Sequence, residues 1–483
     1  MIEFWYTISP FVLPLYYIAI FFVVIDILLQ NRNPLKTHSY LLLLLLLPIL
    51  GIIIYLFFGQ TIRKRKVFAK KRLINQAFGE LYFQSNLEEN RIVSEVPETL
   101  SQYEKVIRFL NRDLSPLTKN NSVRVLQNGE EKFPALLEAL ENARNHIHIE
   151  YYIYEEGDIG QQIAEVLKRK VSEGVTVRMI VDGVGSLGLS NDFIKDLQQA
   201  GVQLFEFMPV LFPSFTSKIN YRNHRKIVVI DGIIGFTGGI NISDRYINNG
   251  KYETYWRDTH LEIRGEAVKS LQFLFILSWQ FVTQEELLPD VHFFPEFTLA
   301  GNHLVQINAS GADLELASIM DSFFLAINSA RKKVRIVTPY FIPTESILDA
   351  ITTASMSDIE VEIMIPYSSD SWIVGAASRS FLKNLLEADV KVFFYRQGFL
   401  HSKVIIIDDN FASVGSANMD YRSFDLNYEV NAYFYDKSLV KELIDDYEQD
   451  KKLCQEMNLD RWLQRSLFAK LKESICRLLA PLL

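Results

Sequence analysis

At 483 residues the chain is too long for one ordinary compact domain, and two similar lobes with an appendage are the natural division. Apolar residues make up 49% and aromatic residues 13%, enough for large cores and too much for a disordered chain. A formal charge of −8 excludes a global basic field for nucleic acid but not an anionic lipid held by local cations.

The first seventy residues depart most in composition. Residues 8–29 are nearly all apolar, with Pro10 and Pro14 near the start and Asp26 near the end. Residues 40–58 form a second apolar run, with seven successive leucines before Pro48. Each is about the length needed to cross a bilayer core, and residues 31–39 make a short polar turn between them. Neither run shows the polar face of a core helix. The missing basic start and the second run argue against a cleaved signal peptide. Arg32 and Lys36 lie in the turn, whereas Arg63, Lys64, Arg65, Lys66, Lys70, Lys71 and Arg72 follow the second run. By the positive-inside rule the C-terminal portion then faces the cytoplasm, with both termini on that side. Residues 1–60 are thus expected as two transmembrane helices and 61–99 as a basic juxtamembrane segment and linker, whose main role is to set topology.

From about residue 100 the pattern becomes α/β. A helix is expected over 135–145, a strand over 146–154, a helix over 159–173, a strand over 175–181, a helix over 193–200 and a strand over 202–207. The order recurs: helix 316–330, strand 334–338, helix 345–353, strand 361–365, helix 376–388 and strand 390–395. This repetition predicts two similar α/β lobes, 100–300 and 301–455. Residues 207–215, apolar and broken by prolines, precede the first motif and have no equally long counterpart; they suit either a loop dipping into a membrane interface or a packed loop between lobes. Residues 456–483 carry Leu463, Leu467, Phe468, Leu471, Ile475 and Leu478 among Arg465, Lys470, Lys472 and Arg477. That is a basic amphipathic helix, lying on a bilayer or packing on the second lobe. Cys454 and Cys476 show no metal-ligand spacing and read as reduced thiols.

One stretch occurs twice. His224 and Lys226 are followed by Ile227, Val228, Val229, Ile230 and Asp231, and then by Gly238, Gly239 and Asn241. His401 and Lys403 are followed by Val404, Ile405, Ile406, Ile407 and Asp408, and then by Gly415, Ser416 and Asn418. A single His–Lys pair is ordinarily a solvated strand end; two copies with identical internal spacing are not accident. The four-residue apolar run reads as a strand buried on both faces, with His and Lys, two apart, on one face. The turn after Asp231 or Asp408 returns the chain so that Asn241 or Asn418 comes back towards its histidine. The small pairs are expected to leave room for a ligand against the backbone. Two imidazoles, two ammoniums and two carboxamides suit a phosphodiester. One neutral histidine attacks phosphorus, the other, protonated, serves the departing oxygen, and Lys and Asn neutralise the phosphoryl oxygens without a metal or cofactor.

These stretches resemble the paired HKD motifs of the phospholipase D superfamily. Over nearly the whole chain, membrane segment included, the sequence is similar to bacterial cardiolipin synthases of the membrane-anchored, two-motif type. The resemblance implies phospholipase D-like lobes packed with pseudo-twofold symmetry, so that His224 and His401 share one cleft; sequence alone allows them to lie apart. It implies His224 as nucleophile and His401 as general acid, phosphatidylglycerol and the bacterial cytoplasmic membrane as partners, and no nucleic acid. It also keeps Asp231 and Asp408 in the catalytic signature, although their turn positions suit holding the motif backbone. Aligning the halves downstream of Asn offers Asp258 and Glu429, each expected to accept a hydrogen bond from the histidine of its own half; the spacing from Asn differs, 17 residues against 11, so Asp258 also reads as an ordinary surface acid. A nuclease, a hydrolase, a phosphatidylserine synthase-like transferase and a non-catalytic lipid scaffold remain as alternatives. The scaffold is disfavoured because neither copy lacks a His, Lys or Asn.

Overall fold

The computed structural model describes residues 96–209, 220–285, 287, 291–296, 301–313 and 316–480, with residues 14, 17–18, 20–29, 34–46 and 51–52 near the N-terminus. The chain divides into two compact units, residues 1–72 with 210–220 and residues 73–209 with 221–483. In the smaller unit, helix Pro34–Leu46 is described, and Ile27 and Leu44 are buried in a cluster with Val23, Val24, Leu41 and Ile52. Among the described residues no helix is long and apolar enough to cross a membrane. Much of the two expected spans, the basic segment 61–72, the linker as far as residue 95 and loop residues 210–215 lie outside the described residues.

The larger unit is built on strands β1 (Thr118–Gln127), β2 (His146–Tyr151), β3 (Thr176–Asp182), β4 (Gln203–Phe207), β5 (Lys226–Ile230), β6 (Ile234–Gly238), β7 (Trp256–Arg257) and β8 (Thr259–Gly265). The second half supplies β9 (His303–Ser310), β10 (Lys333–Val337), β11 (Phe341–Ile342), β12 (Glu360–Pro366), β13 (Lys391–Tyr395), β14 (Phe399–Leu400), β15 (Val404–Ile407), β16 (Phe411–Gly415), β17 (Met419–Asp420), β18 (Glu429–Phe434) and β19 (Cys454–Met457). Fifteen of these form one continuous sheet. From the central antiparallel pair β1–β9 it runs outward one way as β8, β6, β5, β2, β3, β4, and the other way as β18, β16, β15, β10, β12, β13, with β19 added at that edge. The order is the same in both directions. Three outer strands in each half are parallel, and the motif hairpins β5–β6 and β15–β16 are antiparallel.

Side-chain alternation divides each motif strand between two cores. Ile227 and Val229, with Val404 and Ile406, belong to a core that crosses both halves and is closed by Leu271 of helix Ala267–Thr283 and Leu443 of helix Lys437–Lys452. Val228 and Ile230 face the first half's own core, and Ile405 and Ile407 face the second's. The motif strands are therefore buried on both faces. The helix expected over 376–388 is two helices, Trp372–Ser380 and Leu382–Glu387, meeting at Phe381. The helix expected from 135 spans Asn128–Glu141 and contains Pro134; at residue seven that proline removes only one of the helix's amide donors.

Candidate active site

Each motif begins where its strand begins, and each is clamped at the far end. The turns after β5 and β15 place Asp231 and Asp408 at φ 54°, a left-handed conformation that Asp tolerates. Gly232 follows at φ +67°, where a Cβ would lie 2.6 Å from the Phe293 carbonyl oxygen. The Asp231 carboxylate accepts hydrogen bonds from three successive amides, Arg144, Asn145 and His146, at 2.7–2.9 Å. Asp408 does the same with Arg331, Lys332 and Lys333 at 2.8–3.0 Å, and also accepts from Gln102. The signature aspartates thus bind backbone at the opposite end of the motif strand from the lysines and histidines. This corrects their inclusion with the reacting groups.

The acids meet the histidines crosswise. His224 Nδ1 lies 2.9 Å from Glu429 Oε2, and His401 Nδ1 lies 2.7 Å from Asp258 Oδ2. The expectation that each histidine binds the acid of its own half is therefore overturned. The cause is two short backbone contacts between the halves. β14, which leads into His401, runs parallel to β7, which leads into Asp258, and the His401 amide donates to the Arg257 carbonyl at 2.7 Å. Asn223 bridges to Tyr428 in the same way, and the His224 amide donates to the Tyr428 carbonyl at 2.9 Å. Each strand end that delivers a histidine thus lies beside the one that delivers the other half's acid. Because a carboxylate only accepts, Nδ1 of each ring carries the hydrogen and Nε2 presents its lone pair.

The middle residues of the motifs fasten the same junction. The Arg225 guanidinium donates to the carbonyls of Glu429 and Ser310, both at 3.2 Å, and Ser402 Oγ lies 3.1 Å from Thr259 Oγ1. The lysines fold back on their own histidines: Lys226 Nζ donates to the His224 carbonyl at 2.7 Å, and Lys403 Nζ donates to that of His401. Asn241 accepts from the Ile153 amide and donates to Tyr246 Oη at 3.0 Å. The Asn418 Oδ1 is buried without a hydrogen-bond partner among the described residues.

Burial dominates the electrostatics of the site. It lowers His224 to about 4, against the opposing pull of Glu429 and with the help of Lys226 and Lys403. It lowers His401 to about 3, with Lys403 and Lys226 adding to the shift and Asp258 opposing it. Each ring feels the ammonium of both motifs, so the two copies act within one electrostatic site. The lysines are lowered in the same way, Lys226 to about 7 and Lys403 to about 8. Burial would raise Glu429, but the charges of His224 and Lys226 hold it below the usual carboxylate value. At neutral pH both rings are neutral, and both amines hold their protons less firmly than an exposed lysine. An entering phosphodiester anion favours the protonated form of all four groups.

The small pairs have another purpose than the one expected. A Cβ on Gly239 would lie 2.1 Å from Asp258 Oδ1, and one on Gly415 would lie 2.3 Å from Asn431 Oδ1. At Gly239 the space is taken by the acid that serves His401. In the second copy Ser416 Oγ, at the position of Gly239, donates to Glu429 at 2.5 Å. Sequence reasoning also missed the surroundings that make the halves differ. Around His224 lie Tyr152, at 4.8 Å between ring centroids, and the buried pair Asp182–Arg222 at 3.3 Å, with the Asn223 amide donating to Asp182. Around His401 lie Trp256, Phe399 and Tyr246, with centroids at 5.5–5.9 Å. Tyr246 comes from a single turn, Asp244–Tyr246, and no repeated spacing marks it.

Residues 136–273 and 324–451, one motif in each, match the family model described as "Cardiolipin synthase, PLD-like domain". The "Cardiolipin synthase" of Alkalihalophilus pseudofirmus is 43% identical over 470 residues, covering 96% of this chain and 92% of that one. The chain belongs to the cardiolipin synthase family of phospholipase D-like proteins. A second family member, "Cardiolipin synthase 2" of Bacillus anthracis, is 42% identical over 474 residues, covering 96% and 90% of the two chains. Residues 18–60 match the model described as "Phospholipase D-nuclease N-terminal". Among solved structures, the phosphatidylserine synthase of Haemophilus influenzae Rd KW20 superposes with a TM-score of 0.59 at 16% identity, covering 79% of this chain and 100% of that one. That likeness is one of fold, and it matches the doubled α/β arrangement of this cardiolipin synthase-family chain.

Proposed function

We propose that the protein is a cardiolipin synthase, a phosphatidyltransferase that joins two phosphatidylglycerols and releases one glycerol. The observation that carries the reading is the crossed pair of buried His–carboxylate bonds, which prepares two neutral imidazoles with free Nε2 atoms beside two lysines. His224 Nε2 attacks the phosphorus of the donor, forming a P–N bond as the P–O bond to glycerol breaks. His401, protonated once the anionic ester is bound, gives its proton to the departing oxygen. A hydroxyl of the second phosphatidylglycerol then loses its proton to His401 and attacks the phosphohistidine, and His224 leaves. Lys226, Lys403, Asn241 and Asn418 stabilise the phosphoryl oxygens in both steps. Asp258 and Glu429 hold tautomer and ring orientation and stabilise each imidazolium as it forms.

Residues 1–60 anchor the enzyme as two transmembrane helices, with the catalytic unit on the cytoplasmic side of the bacterial membrane. The two lobes, 100–300 and 301–455, are related by an approximate twofold axis between β1 and β9. The strand order and the 43% identity to a curated cardiolipin synthase support this reading. The test is to supply the purified full chain in micelles with phosphatidylglycerol alone and to analyse the products by mass. Cardiolipin with equimolar free glycerol is expected; phosphatidic acid alone would make the enzyme a hydrolase and overturn the proposal.

A further inference from the structure

The C-terminal helix is docked the reverse way for a helix on a globular domain. Helix Leu467–Arg477 is capped by Ser466 Oγ, which accepts from the Ala469 amide at 3.2 Å, and it packs against helix Trp372–Ser380 of the second half. A helix in this setting ordinarily turns its apolar stripe inward. Here the buried positions are Glu473 and Cys476, with Ala480 just beyond the helix end, and the two small residues join the second half's core. An ion pair and two cation–π contacts add to this packing: Glu473 pairs with Arg465, Lys472 Nζ lies 5.0 Å from the Trp372 ring centroid, and the Arg477 guanidinium lies 4.3 Å from that of Phe381. The apolar side chains point away. Leu467, Phe468, Leu471, Ile475 and Leu478 are 84, 78, 59, 56 and 79% exposed, and Trp372 beside them is 64% exposed. Positions 467, 471, 475 and 478 form one stripe. Single exposed apolar residues are ordinary; a continuous stripe marks a contact surface.

The surrounding charge identifies the partner. Arg461, Lys470, Lys472 and Arg477 accompany the stripe, and Glu473, the acid within the helix, is buried in its pair with Arg465. A cavity of about 460 Å³ between the two helices adds Arg379 to Lys472 and Trp372 along its lining. An apolar stripe flanked by cations, with an exposed indole, fits the surface of an anionic phospholipid bilayer. A second copy of the chain would set these cations against their like. We infer that the second lobe holds the C-terminal helix by its face of small residues, with Glu473 buried among them, so that the apolar stripe lies in the interface of an anionic membrane. The lipid reading of the active site supplies the partner class; the geometry of the helix is independent of catalysis.

The test uses the full chain with Cys454→Ser and Cys476→Ala, reconstituted in vesicles. An environment-sensitive fluorophore is attached at Leu471→Cys, or, as the reference, at Glu165→Cys on helix Asp158–Ser172. In vesicles containing phosphatidylglycerol, the label at 471 is expected to shift its emission to the blue. Bromine on the acyl chains should quench it several-fold more than the label at 165. Equal quenching at the two positions overturns the inference, as does a blue-shifted label that brominated lipid does not quench, which would indicate a protein partner. A Leu471→Glu, Ile475→Glu variant is expected to make cardiolipin at least tenfold more slowly in vesicles and at an unchanged rate in detergent micelles. An equal loss in both overturns the inference. Because the label reports position without turnover, an inactive chain with a quenched label would refute the catalytic reading alone.

Discussion

Exchanging the crossed acids tests the site most directly, because the two variants should fail at different steps. Asp258→Asn and Glu429→Gln each replace a buried carboxylate by a neutral amide that no longer stabilises an imidazolium. The bonds they weaken are 2.7 Å to His401 and 2.9 Å to His224. A hydrogen bond to a charged group is worth about 1.5–3 kcal/mol, and about 1.4 kcal/mol is tenfold in rate. Each variant should therefore lose about ten- to a hundredfold in turnover of phosphatidylglycerol. A phosphatidyl ester of nitrophenol separates the steps, since its leaving group needs no proton. The phosphohistidine is first located by peptide mass analysis in His401→Asn, which retains it. If His224 carries the phosphoryl group, Asp258→Asn should regain a near-normal burst of nitrophenolate and Glu429→Gln should not. Rescue of Glu429→Gln instead, with phosphate on His224, would mean that each acid serves its own half, and the reasoning from the junction strands would be wrong.

The remaining predictions concern the same groups. His224→Ala should abolish turnover, and His401→Asn should accumulate the covalent intermediate; ordinary rates in either purified variant would remove these roles. Lys226 and Lys403, lowered to about 7 and about 8, lose their protons as pH rises through those values, so kcat/KM should fall on the alkaline side there. Bound phosphate favours the ammoniums and should move the corresponding limb of kcat upward; Lys226→Ala should cost about a hundred- to a thousandfold and remove the lower ionisation from the pH–rate profile. Gly239→Ala should displace the Asp258 carboxylate and cost about tenfold or more in turnover, while thermal unfolding, followed by circular dichroism, shows the fold retained. Asp231→Ala leaves three amides without an acceptor and should destabilise the larger unit by about 3 kcal/mol, read as a lower midpoint of thermal unfolding.

The motif hairpins were legible because local rules govern them. A four-residue apolar run makes a strand with two buried faces, and an Asp in a left-handed turn caps it. Most flanking helices and strands followed from periodicity to within a few residues. The central strands were not legible: β1 reads Thr-Lys-Asn-Asn-Ser-Val-Arg-Val-Leu-Gln, and half of its length lacks apolar alternation. It becomes a strand because β8 and β9 pair with it on either side. The crossing of the acids was hidden for a related reason. It depends on β7 and β14, two-residue segments with no pattern of their own, which meet only when both halves are folded. Aligning the halves downstream of Asn could nominate Asp258 and Glu429 but not their partners. The small pairs were misread because local sequence gives the vacancy and not its occupant.

The crossed junction also sets how early in synthesis the site can be assembled. His224 emerges early in synthesis, but its carboxylate arrives 205 residues later, so a ribosome must nearly finish the polypeptide before either imidazole is poised. A truncated product ending between the halves would hold a first motif without the carboxylate that His224 meets in the folded chain.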